Sequence, residues 1–429
     1  MTADVIVIGG GAAGMMAAVS AAESGARVLL LEKNEKLGKK IYITGKGRCN
    51  FTNACDAEDF FANVPCNASF LYSSIYGFDP ASAMAWFEEH GLLTKVERGN
   101  RAFPASDHAS DVTKVLSNAL REAGVVIQLN TEAAGLVMSS EDEAEGSRKN
   151  GIRGKAAGVR LKSGKIIPAK AVVIATGGLS YPSTGSTGDG YRFAEAAGHS
   201  VTARTPSLVP LRCAEEDLFS MQGLSLKNVS LRVMDGKQKI WDGFGEMMFT
   251  HFGVTGPLVL TASAMIQDRI RKHPLDAEID LKPALSPEKL DLRLLREFGQ
   301  SPNKEICNVL TAVYPARMVS VILERSGIRQ DEAVHDVTRA ERIRLIDSTK
   351  HFHFTITALG GWNEAVITHG GVSVREVDPG SMESRKLSGL FFAGEVLDVD
   401  AFTGGFNLQI AWATGRAAGY GAADHAAMV

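Results

Sequence analysis

The fold is decided by the stretch VIVIGGGAAG at residues 5–14, near the start of the sequence. Its four leading apolar residues suit a buried parallel strand, and a GxGxxG pattern made by Gly9, Gly11 and Gly14 follows directly. In such a pattern Gly9 permits a tight turn, Gly11 lets the backbone approach a pyrophosphate, and Gly14 lets a helix pack on the strand. We therefore predict that this stretch binds a dinucleotide, with its phosphates at the N-terminus of the helix.

The residues that follow complete a βαβ unit. Residues 15–23 are compatible with a helix, Gly25 ends it, and the largely apolar stretch 27–31 forms a second strand that leads to Glu32. Glu32 lies 18 residues after Gly14, where an acidic side chain accepts hydrogen bonds from a ribose hydroxyl. Because a basic residue would suit a 2′-phosphate, the acid favours FAD or NAD as the ligand.

Composition places the chain among ordinary globular proteins. Of its 429 residues, 45% are hydrophobic and 22% are charged, which excludes disordered, collagen-like and fibrous classes. The 46 basic and 49 acidic residues give a net charge of −3, so the overall charge does not favour nucleic acid or an anionic membrane. We expect a small-molecule substrate, no nucleic-acid partner and no membrane partner; the oligomeric state stays open.

The five cysteines are scattered, and no two of them form a CxxC pair. This arrangement argues against a disulfide framework, a dithiol redox centre and a zinc site, and we predict no metal. Scattered single cysteines fit a reducing compartment. The sequence shows no signal-peptide pattern and no apolar stretch of the ~18 residues that a membrane span needs. We therefore expect a cytoplasmic location.

Three later stretches favour FAD over NAD. An apolar strand at 171–175 ends in Thr-Gly-Gly, a second at 389–393 ends in Gly-Glu, and two glycines precede a helix of small residues at 410–420. Backbone N–H groups at such glycines suit an anion or a flavin carbonyl. The stretch 33–50, rich in Gly, Lys, Arg and Asn, suits the neighbourhood of a flat polar ring. No second strand–GxGxxG–helix pattern is found, so NAD(P)H is expected only as a transient co-substrate.

The predicted cofactor contacts lie in these loops and strand ends. Lys46 and Arg48 are expected to stabilise the reduced flavin or its phosphates. Cys49 fits either a reactive thiol or a small buried residue. The full set is Gly9, Gly11, Ala12, Ala13, Gly14, Glu32, Lys33, Lys40, Thr44, Gly45, Lys46, Gly47, Arg48, Cys49, Asn50, Ala133, Ala175, Thr176, Gly177, Gly178, Gly394, Glu395, Gly404, Gly405, Phe406, Asn407 and Leu408.

Longer motifs resemble a known family. The sequence is similar, over essentially its whole length, to the HI0933-like flavoproteins, which include BaiN-type NAD(P)/FAD-dependent oxidoreductases. Ala401 departs from the glycine expected there. The stretches that carry the resemblance are VIVIGGGAAGMMAA (5–18), GKKIYITGKGRCNFTN (38–53), NRAFPASDHASDV (100–112), ATGGLSYPSTGSTGDGY (175–191), GEMMFTHFGVTGP (245–257), THGGVSVREVDPGSMESRKLSGLFFAGEVLDVD (368–400) and TGGFNLQIAWATG (403–415).

The predicted fold is α/β, a Rossmann-like two-dinucleotide FAD-binding domain interrupted by an insertion. Residues 200–284 alternate and carry turn signals, which predicts short strands. Residues 286–347 show helical periodicity, with Ser-Pro starts at 286 and 301. The charged run 141–150 is expected to be a solvated hairpin tip. The predicted divisions are FAD-binding domain 1–198, inserted β-rich cap or substrate subdomain 199–285, helical subdomain 286–354 and the rest of the FAD-binding domain 355–429. The resemblance implies that the cap closes over the flavin.

Catalytic candidates are few, because the flavin carries the electrons and the protein supplies orientation, access and a proton. His251, in a glycine-rich stretch of the insertion, is the leading proton donor. His369, where the chain re-enters the FAD-binding domain, is a weaker candidate. Arg101 fits either a clamp on a substrate carboxylate or a structural ion pair. His90 is the first histidine, so none lies just after Glu32, where related flavoproteins attach FAD covalently; we predict non-covalent FAD.

Three functions fit this sequence. The first is an FAD-dependent oxidoreductase that takes electrons from NAD(P)H and reduces a small organic molecule, for example at an activated C=C bond as BaiN-type enzymes do. The second is an amine oxidase, similar to aminoacetone oxidases, that releases hydrogen peroxide. The third is a regulatory flavoprotein with little turnover.

Overall fold

The structure, a computed structural model, describes residues 3–139 and 154–429, so the predicted hairpin tip at 141–150 lies outside the described residues. The chain forms two compact units. The discontinuous unit comprises Met1–Pro206 and Ala365–Val429, and the inserted unit comprises Ser207–Glu364. Among the described residues, no helix is both long and apolar enough to cross a membrane.

The strands are mostly short. In chain order, they are β1 (Val5–Ile8), β2 (Val28–Leu31), β3 (Thr52–Asn53), β4 (Thr94–Glu97), β5 (Arg101–Pro104), β6 (Val126–Gln128), β7 (Ala133–Ser139), β8 (Lys155–Leu161), β9 (Ile166–Pro168), β10 (Ala171–Ile174), β11 (Thr205–Ser207), β12 (Leu211–Cys213), β13 (Ser225–Asp235), β14 (Gln238–Thr250), β15 (Gly253–Thr255), β16 (Leu275–Asp280), β17 (Phe352–Leu359), β18 (Ile367–His369) and β19 (Leu390–Phe392).

The α-helices range from single turns to six turns. In chain order, they are α1 (Ala12–Glu23), α2 (Ala57–Ala62), α3 (Tyr72–Gly77), α4 (Pro80–Glu89), α5 (Ala109–Glu122), α6 (Asp189–Ala196), α7 (Pro257–Met265), α8 (Gln267–Ile270), α9 (Pro287–Gln300), α10 (Ile306–Val309), α11 (Ala316–Ser326), α12 (Arg339–Lys350) and α13 (Phe406–Met428).

The discontinuous unit is built on a parallel sheet in the order β19-β10-β1-β2-β6. All residues of β1, β2, β10 and β19 are buried, as expected for strands covered on both faces. The chain runs from β1 to β2 on one side, and β10 pairs with β1 on the other. In open α/β sheets, ligands bind at the carboxyl ends of strands where the order reverses, which here is between β1 and β10.

The inserted unit contains a closed antiparallel barrel in the order β12-β15-β14-β13-β16-β17, with β17 pairing back to β12. The expectation of short strands is wrong for its central hairpin, because β13 has 11 residues and β14 has 13. Irregularities in the β13–β14 register let these long strands follow the curved wall. Closing the barrel removes both sheet edges and leaves one apolar core.

Helices complete the inserted unit. The predicted start at Ser286 is confirmed, since its hydroxyl accepts the Lys289 N–H at the beginning of α9. Thr338 and Glu341 form a capping box at the start of α12. The predicted start at Ser301 is wrong, because Ser301 follows the last residue of α9 and the next helix begins at Ile306.

The unit boundaries differ from the predicted divisions. The Thr202 N–H donates to the Gly371 carbonyl at 2.9 Å, which ties residues beyond 198 to the discontinuous unit. Residue Ile356, near the predicted return of the FAD-binding domain, lies in barrel strand β17. The structure groups the predicted β-rich and helical subdomains in one compact unit because the barrel and its helices share one apolar core.

Candidate functional site

The loop after β1 has the shape that a pyrophosphate needs. Gly9 has φ +105°, in the left-handed region, and a Cβ added there would lie 2.5 Å from the Ala175 carbonyl oxygen. A Cβ on Gly14 would lie 1.8 Å from the Gly9 carbonyl oxygen, so glycine is required for α1 to pack this closely. A Cβ on Gly11 would meet no atom within 4 Å. The predicted turn and helix packing are observed, and the open space at Gly11 fits a phosphate.

Glu32 lies directly after β2 and is 7% exposed. One carboxylate oxygen accepts the Gly10 N–H at 2.7 Å, and the other accepts the backbone and side-chain N–H groups of Asn34, each at 2.7 Å. The acid therefore lies beside the loop after β1, and its contact with a ribose stays a prediction. It also holds two loops together, which the sequence did not indicate.

A polar cluster joins three loops at the carboxyl edge of the sheet. The Lys40 ammonium donates to Glu395 at 2.6 Å and to the Ser180 hydroxyl at 2.5 Å. Glu395 also accepts hydrogen bonds from the Ser180 hydroxyl and, at 2.9 Å, from the Thr368 N–H. The Thr368 hydroxyl accepts the Leu179 N–H at 2.8 Å. This Lys40–Glu395 cluster contains two predicted site residues and two that sequence reasoning missed.

The missed residues carried a weak signal. Ser180 follows the glycine pair after β10, and Thr368 precedes the glycine pair at 370–371. Both residues lie beside a glycine-rich loop. That position does not single them out, because serine and threonine are common in loops.

The loop before α13 is held by two asparagines. Asn53 Nδ2 donates to the Gly404 carbonyl at 2.9 Å. The Asn407 side chain accepts the Ala401 N–H at 2.8 Å and donates to the Ala401 carbonyl at 2.7 Å. Ala401 does not adopt a left-handed backbone conformation, so alanine is accommodated where the family pattern suggested glycine. Gly405 precedes the first residue of α13, and the predicted contacts Phe406 and Leu408 lie in its first turn.

Arg48 is placed differently from its predicted role. Its guanidinium pairs with the carboxylates of Glu97 and Asp107 and lies 4.2 Å from the Phe103 ring centroid. Two carboxylates already balance this charge, so Arg48 does not present a free cation to a flavin or phosphate. Cys49 is fully buried, and burial raises the pKa of its thiol to about 12, so it does not form a thiolate at neutral pH.

Three further predicted contacts, Lys33, Ala133 and Lys46, lie in the discontinuous unit. Lys33 donates to Asp189 at 2.7 Å and to the Thr187 hydroxyl at 2.5 Å, which ties the loop after β2 to α6. Ala133 begins β7 and is 7% exposed. Lys46 is exposed and has a left-handed backbone conformation.

The residues present fit FAD. Asn50 Oδ1 and Thr176 Oγ1 are buried and have no hydrogen-bond partner among the described residues, although buried polar atoms are normally paired. Helices α1 and α13 both begin after a glycine and carry no acidic residue in the first turn, which favours an anion there. Gly11 provides open space for the pyrophosphate, and Glu32 lies beside it. These groups would hold the dinucleotide, which supplies hydride transfer when bound.

The two predicted catalytic residues lie in different units. His251 is an exposed residue of the inserted unit between β14 and β15, with its ring centroid 4.8 Å from that of Phe252. Arg101 lies in β5 of the discontinuous unit, is exposed, and donates to the Arg98 carbonyl at 3.0 Å. No ion pair joins Arg101 to a carboxylate of the described residues, so the structural ion pair considered from the sequence is not formed there.

His369 has a partner that the sequence did not reveal. Its Nδ1 lies 2.8 Å from Asp400 Oδ1, and the Asp400 side chain is 2% exposed whereas that of His369 is 32% exposed. A buried carboxylate on one ring nitrogen orients the imidazole. Asp400 is one of three acids between β19 and α13, and sequence spacing alone does not select it.

The sequence profile described as HI0933-like protein Rossmann domain matches residues 3–421. The chain belongs to the HI0933-like family. The resemblance predicted from its motifs is thereby confirmed, as is the assignment of this HI0933-like protein as an FAD-dependent oxidoreductase.

Two curated relatives match nearly the whole HI0933-like chain. It is 33% identical to the 3-dehydro-bile acid delta(4,6)-reductase of Clostridium scindens, over 97% of this chain and 98% of that one. It is 30% identical to the ribosomal RNA dihydrouridine synthase of Haemophilus influenzae, over 96% of each. The second relative leaves the expectation of no nucleic-acid partner unconfirmed.

A solved structure shares the fold. The 3-ketosteroid delta1-dehydrogenase of Sterolibacterium denitrificans aligns over 100% of both chains, with a TM-score of 0.53 and 15% sequence identity. At this identity the likeness concerns the fold.

Proposed function

We propose that this HI0933-like protein uses NAD(P)H to reduce a C=C bond conjugated to a carbonyl group in a small organic molecule. The observation that carries this proposal is the match, over 97% of the chain, to a relative named as a delta(4,6)-reductase. A dihydrouridine synthase also forms a saturated carbon pair from an unsaturated one, so both relatives support the same bond change. No second strand–GxGxxG–helix pattern is found in the sequence, so NAD(P)H is proposed as a transient co-substrate.

Such a reduction needs a hydride on one carbon and a proton on the other. We propose that His369 donates the proton from Nε2, because its other ring nitrogen, Nδ1, already contacts Asp400. His369 follows Thr368 of the Lys40–Glu395 cluster directly, which places it among the loops at the carboxyl edge of the sheet. Asp398 is a second carboxylate near the imidazole, and burial raises its pKa.

His251 and Arg101 remain proposals for the same reaction. His251 is the alternative proton donor, and exposure leaves its ring free to meet a substrate. Arg101 is proposed to bind a substrate carboxylate, because its guanidinium makes no ion pair with the described residues and keeps donors available.

The decisive experiment is anaerobic. The FAD-loaded protein is mixed with NADH or NADPH. Reduction of the flavin is followed as the loss of its visible absorbance. A cyclic enone is then added, with its saturated ketone as the control, and the product is analysed by mass spectrometry. We expect NAD(P)H to bleach the flavin. The enone should then reoxidise the flavin, whereas the saturated ketone should not, and the product should be two hydrogens heavier than the enone. No bleaching would contradict the proposed donor.

Two variants separate the proton donors. His369→Gln should leave bleaching by NAD(P)H intact and slow reoxidation by the enone by ~10²-fold, the scale of general acid catalysis. His251→Gln should have little effect on either step. The reverse ranking would transfer the role to His251. Asp400→Asn should shift the pH profile of reoxidation, since the imidazolium loses its carboxylate.

Two other substrates are tested with the same protein. Amines that bleach the flavin and release hydrogen peroxide in air would support the amine oxidase instead. Ribosomal RNA that reoxidises the NAD(P)H-reduced flavin when small enones do not would support an RNA substrate, as the name of the second relative suggests.

A further inference from the structure

A cavity of about 230 Å³ lies in the inserted unit, and none of its lining residues is used in the proposed reaction. It is bounded by β13, by the residues after β16 and by those before and within α11. Its floor is apolar, because Leu226, Val229, Leu281 and Met318 each expose 6% or less of their surface. Lys282 lies at its wall, and we call this space the Lys282 cavity.

Lys282 is a half-buried cation. Its ammonium lies 5.7 Å from the Tyr314 ring centroid, and it forms no ion pair with a carboxylate of the described residues. The neighbouring Lys350 shows the contrast, since its ammonium lies 2.5 Å from Asp280. Burial, with a smaller effect of the Arg293 charge, lowers the pKa of Lys282. A partly desolvated cation is costly unless an anion accompanies it.

The rest of the lining offers no competing acid. Among the residues that the structure describes, no aspartate or glutamate lines the cavity, and Lys227 adds a second positive charge at its exposed rim. The Tyr314 hydroxyl shares a hydrogen bond of 2.7 Å with the Thr349 hydroxyl, so it is already satisfied. The Tyr314 residue, 3% exposed, therefore contributes an apolar aromatic wall.

We propose that the Lys282 cavity binds a small organic carboxylate, with Lys282 as the counter-ion and the apolar floor around the body of the ligand. The volume is below the roughly 300–1,000 Å³ of pockets that hold drug-sized ligands, so a single-ring acid suits it. Inorganic anions would leave the apolar floor uncovered, and neutral ligands would leave the ammonium unpaired. The site is independent of the proposed reduction.

Calorimetric titration of the FAD-loaded protein with benzoate tests this proposal. Benzyl alcohol, which has the same ring and no charge, is the matched ligand control. We expect benzoate to bind and benzyl alcohol to bind at least tenfold more weakly. Lys282→Met should weaken benzoate binding at least tenfold, whereas Lys282→Arg should retain most of it. Lys304→Met, at an exposed lysine outside the cavity, should bind benzoate as the unaltered protein does.

Three results would overturn the proposal. The first is that benzoate fails to bind the unaltered protein. The second is that benzoate binds Lys282→Met with unchanged affinity, which would place the ligand elsewhere. The third is that Lys304→Met weakens binding as much as Lys282→Met, which would indicate a general charge effect.

A second measurement needs no variant and so does not depend on the folding of Lys282→Met. The unaltered protein is treated with a limiting amount of acetic anhydride, and acetylation of Lys282 and Lys304 is compared by peptide mass spectrometry. Benzoate should slow acetylation of Lys282 at least fivefold and leave Lys304 unchanged. Equal rates at Lys282 with and without benzoate would contradict the proposal.

Discussion

The two compact units bury their residues in different ways. In the discontinuous unit α13 lies so close to α1 that a Cβ on Gly415 would be 2.4 Å from the Ala13 carbonyl oxygen. In the inserted unit the barrel core is filled by large side chains, among them Phe249 and Phe352, whose ring centroids are 6.4 Å apart. Close contacts between helix backbones are thus part of the packing of the discontinuous unit, whereas large side chains fill the barrel of the inserted unit.

This difference decides what each unit tolerates. A backbone contact leaves no space for a side chain, so a single added methyl group displaces a whole helix. A side-chain core accepts other apolar residues of similar volume at small cost. We therefore expect substitutions at the close-contact glycines of the discontinuous unit to have the largest effects.

The largest expected effect is that of Gly14→Ala. The added Cβ would meet the Gly9 carbonyl oxygen at 1.8 Å, which α1 cannot accept in place. We expect a loss of about 5 kcal/mol or more in the free energy of unfolding, comparable with the whole stability of a marginal domain. Urea unfolding and the flavin content of the purified protein measure this.

Gly11→Val is the matched control in the same loop. Its side chain enters open space at a φ of −81°, so the variant should fold but lose FAD, because the side chain occupies the pyrophosphate position. Normal stability of Gly14→Ala, or normal flavin loading of Gly11→Val, would show that the loop does not work as proposed.

The next effect concerns the inserted unit. Phe249→Ala removes a fully buried ring and should cost about 3–5 kcal/mol in the stability of that unit. FAD loading should persist, since the groups that fit FAD lie in the discontinuous unit. Phe244→Ala, at a residue that is 61% exposed, is the control and should change stability by less than about 0.5 kcal/mol. Loss of FAD in Phe249→Ala would contradict this separation.

Glu32→Ala should weaken FAD binding by about 1–3 kcal/mol, the scale of a lost hydrogen bond to a charged group. Part of the loss would come from the Gly10 N–H, which loses its acceptor. Fluorescence titration of the apoprotein with FAD measures the affinity. Glu35→Ala, at an exposed acid paired with Lys39, is the control and should bind FAD normally. Unchanged affinity in Glu32→Ala would remove Glu32 from the ribose site.

The smallest predicted effect is a pH dependence in the discontinuous unit. Burial lowers the pKa of His199 from 6.5 to about 4, while its Nε2 lies 2.6 Å from the Ser384 hydroxyl. Since the unfolded chain takes up the proton first, the free energy of unfolding should fall as the pH drops from 6.5 towards 4. We expect a loss of about 1–2 kcal/mol by about pH 5, measured by urea unfolding.

His199→Gln tests that assignment. This variant should lose the part of the pH dependence between 6.5 and 4, although its stability at neutral pH also falls. The Asp4 carboxylate, whose pKa the Arg27 hydrogen bonds lower to about 2, acts below this window and should not obscure it. An unchanged slope in His199→Gln would assign the effect to other groups.

The discontinuous unit was the more predictable part. The strand at 5–8 is observed with the predicted bounds, and the strands expected at 171–175 and 389–393 differ by a residue or two. These runs are apolar throughout because both faces of the parallel sheet are covered. The close contacts of Gly9 and Gly14 were also predictable, since no other residue fits where a backbone approaches another backbone.

Other features depended on side chains that are distant in sequence. Arg48 was expected to contact the cofactor, but it meets two carboxylates, one from β4 and one that follows β5. The closure of the barrel by β12 and β17 joins segments about 140 residues apart, which the local strand pattern does not encode.

By itself the sequence determined the parallel sheet, the glycine-rich loop after β1, the position of Glu32 and the family. These features depend on local requirements of the backbone, which the positions of glycines and apolar runs reveal. The tertiary structure alone decided the Lys40–Glu395 cluster, the His369–Asp400 pair and the unpaired Lys282. Each of these depends on which charges lie within a few ångströms after folding. Charge pairing is a property of distance in space, and the spacing of residues along the chain does not contain it.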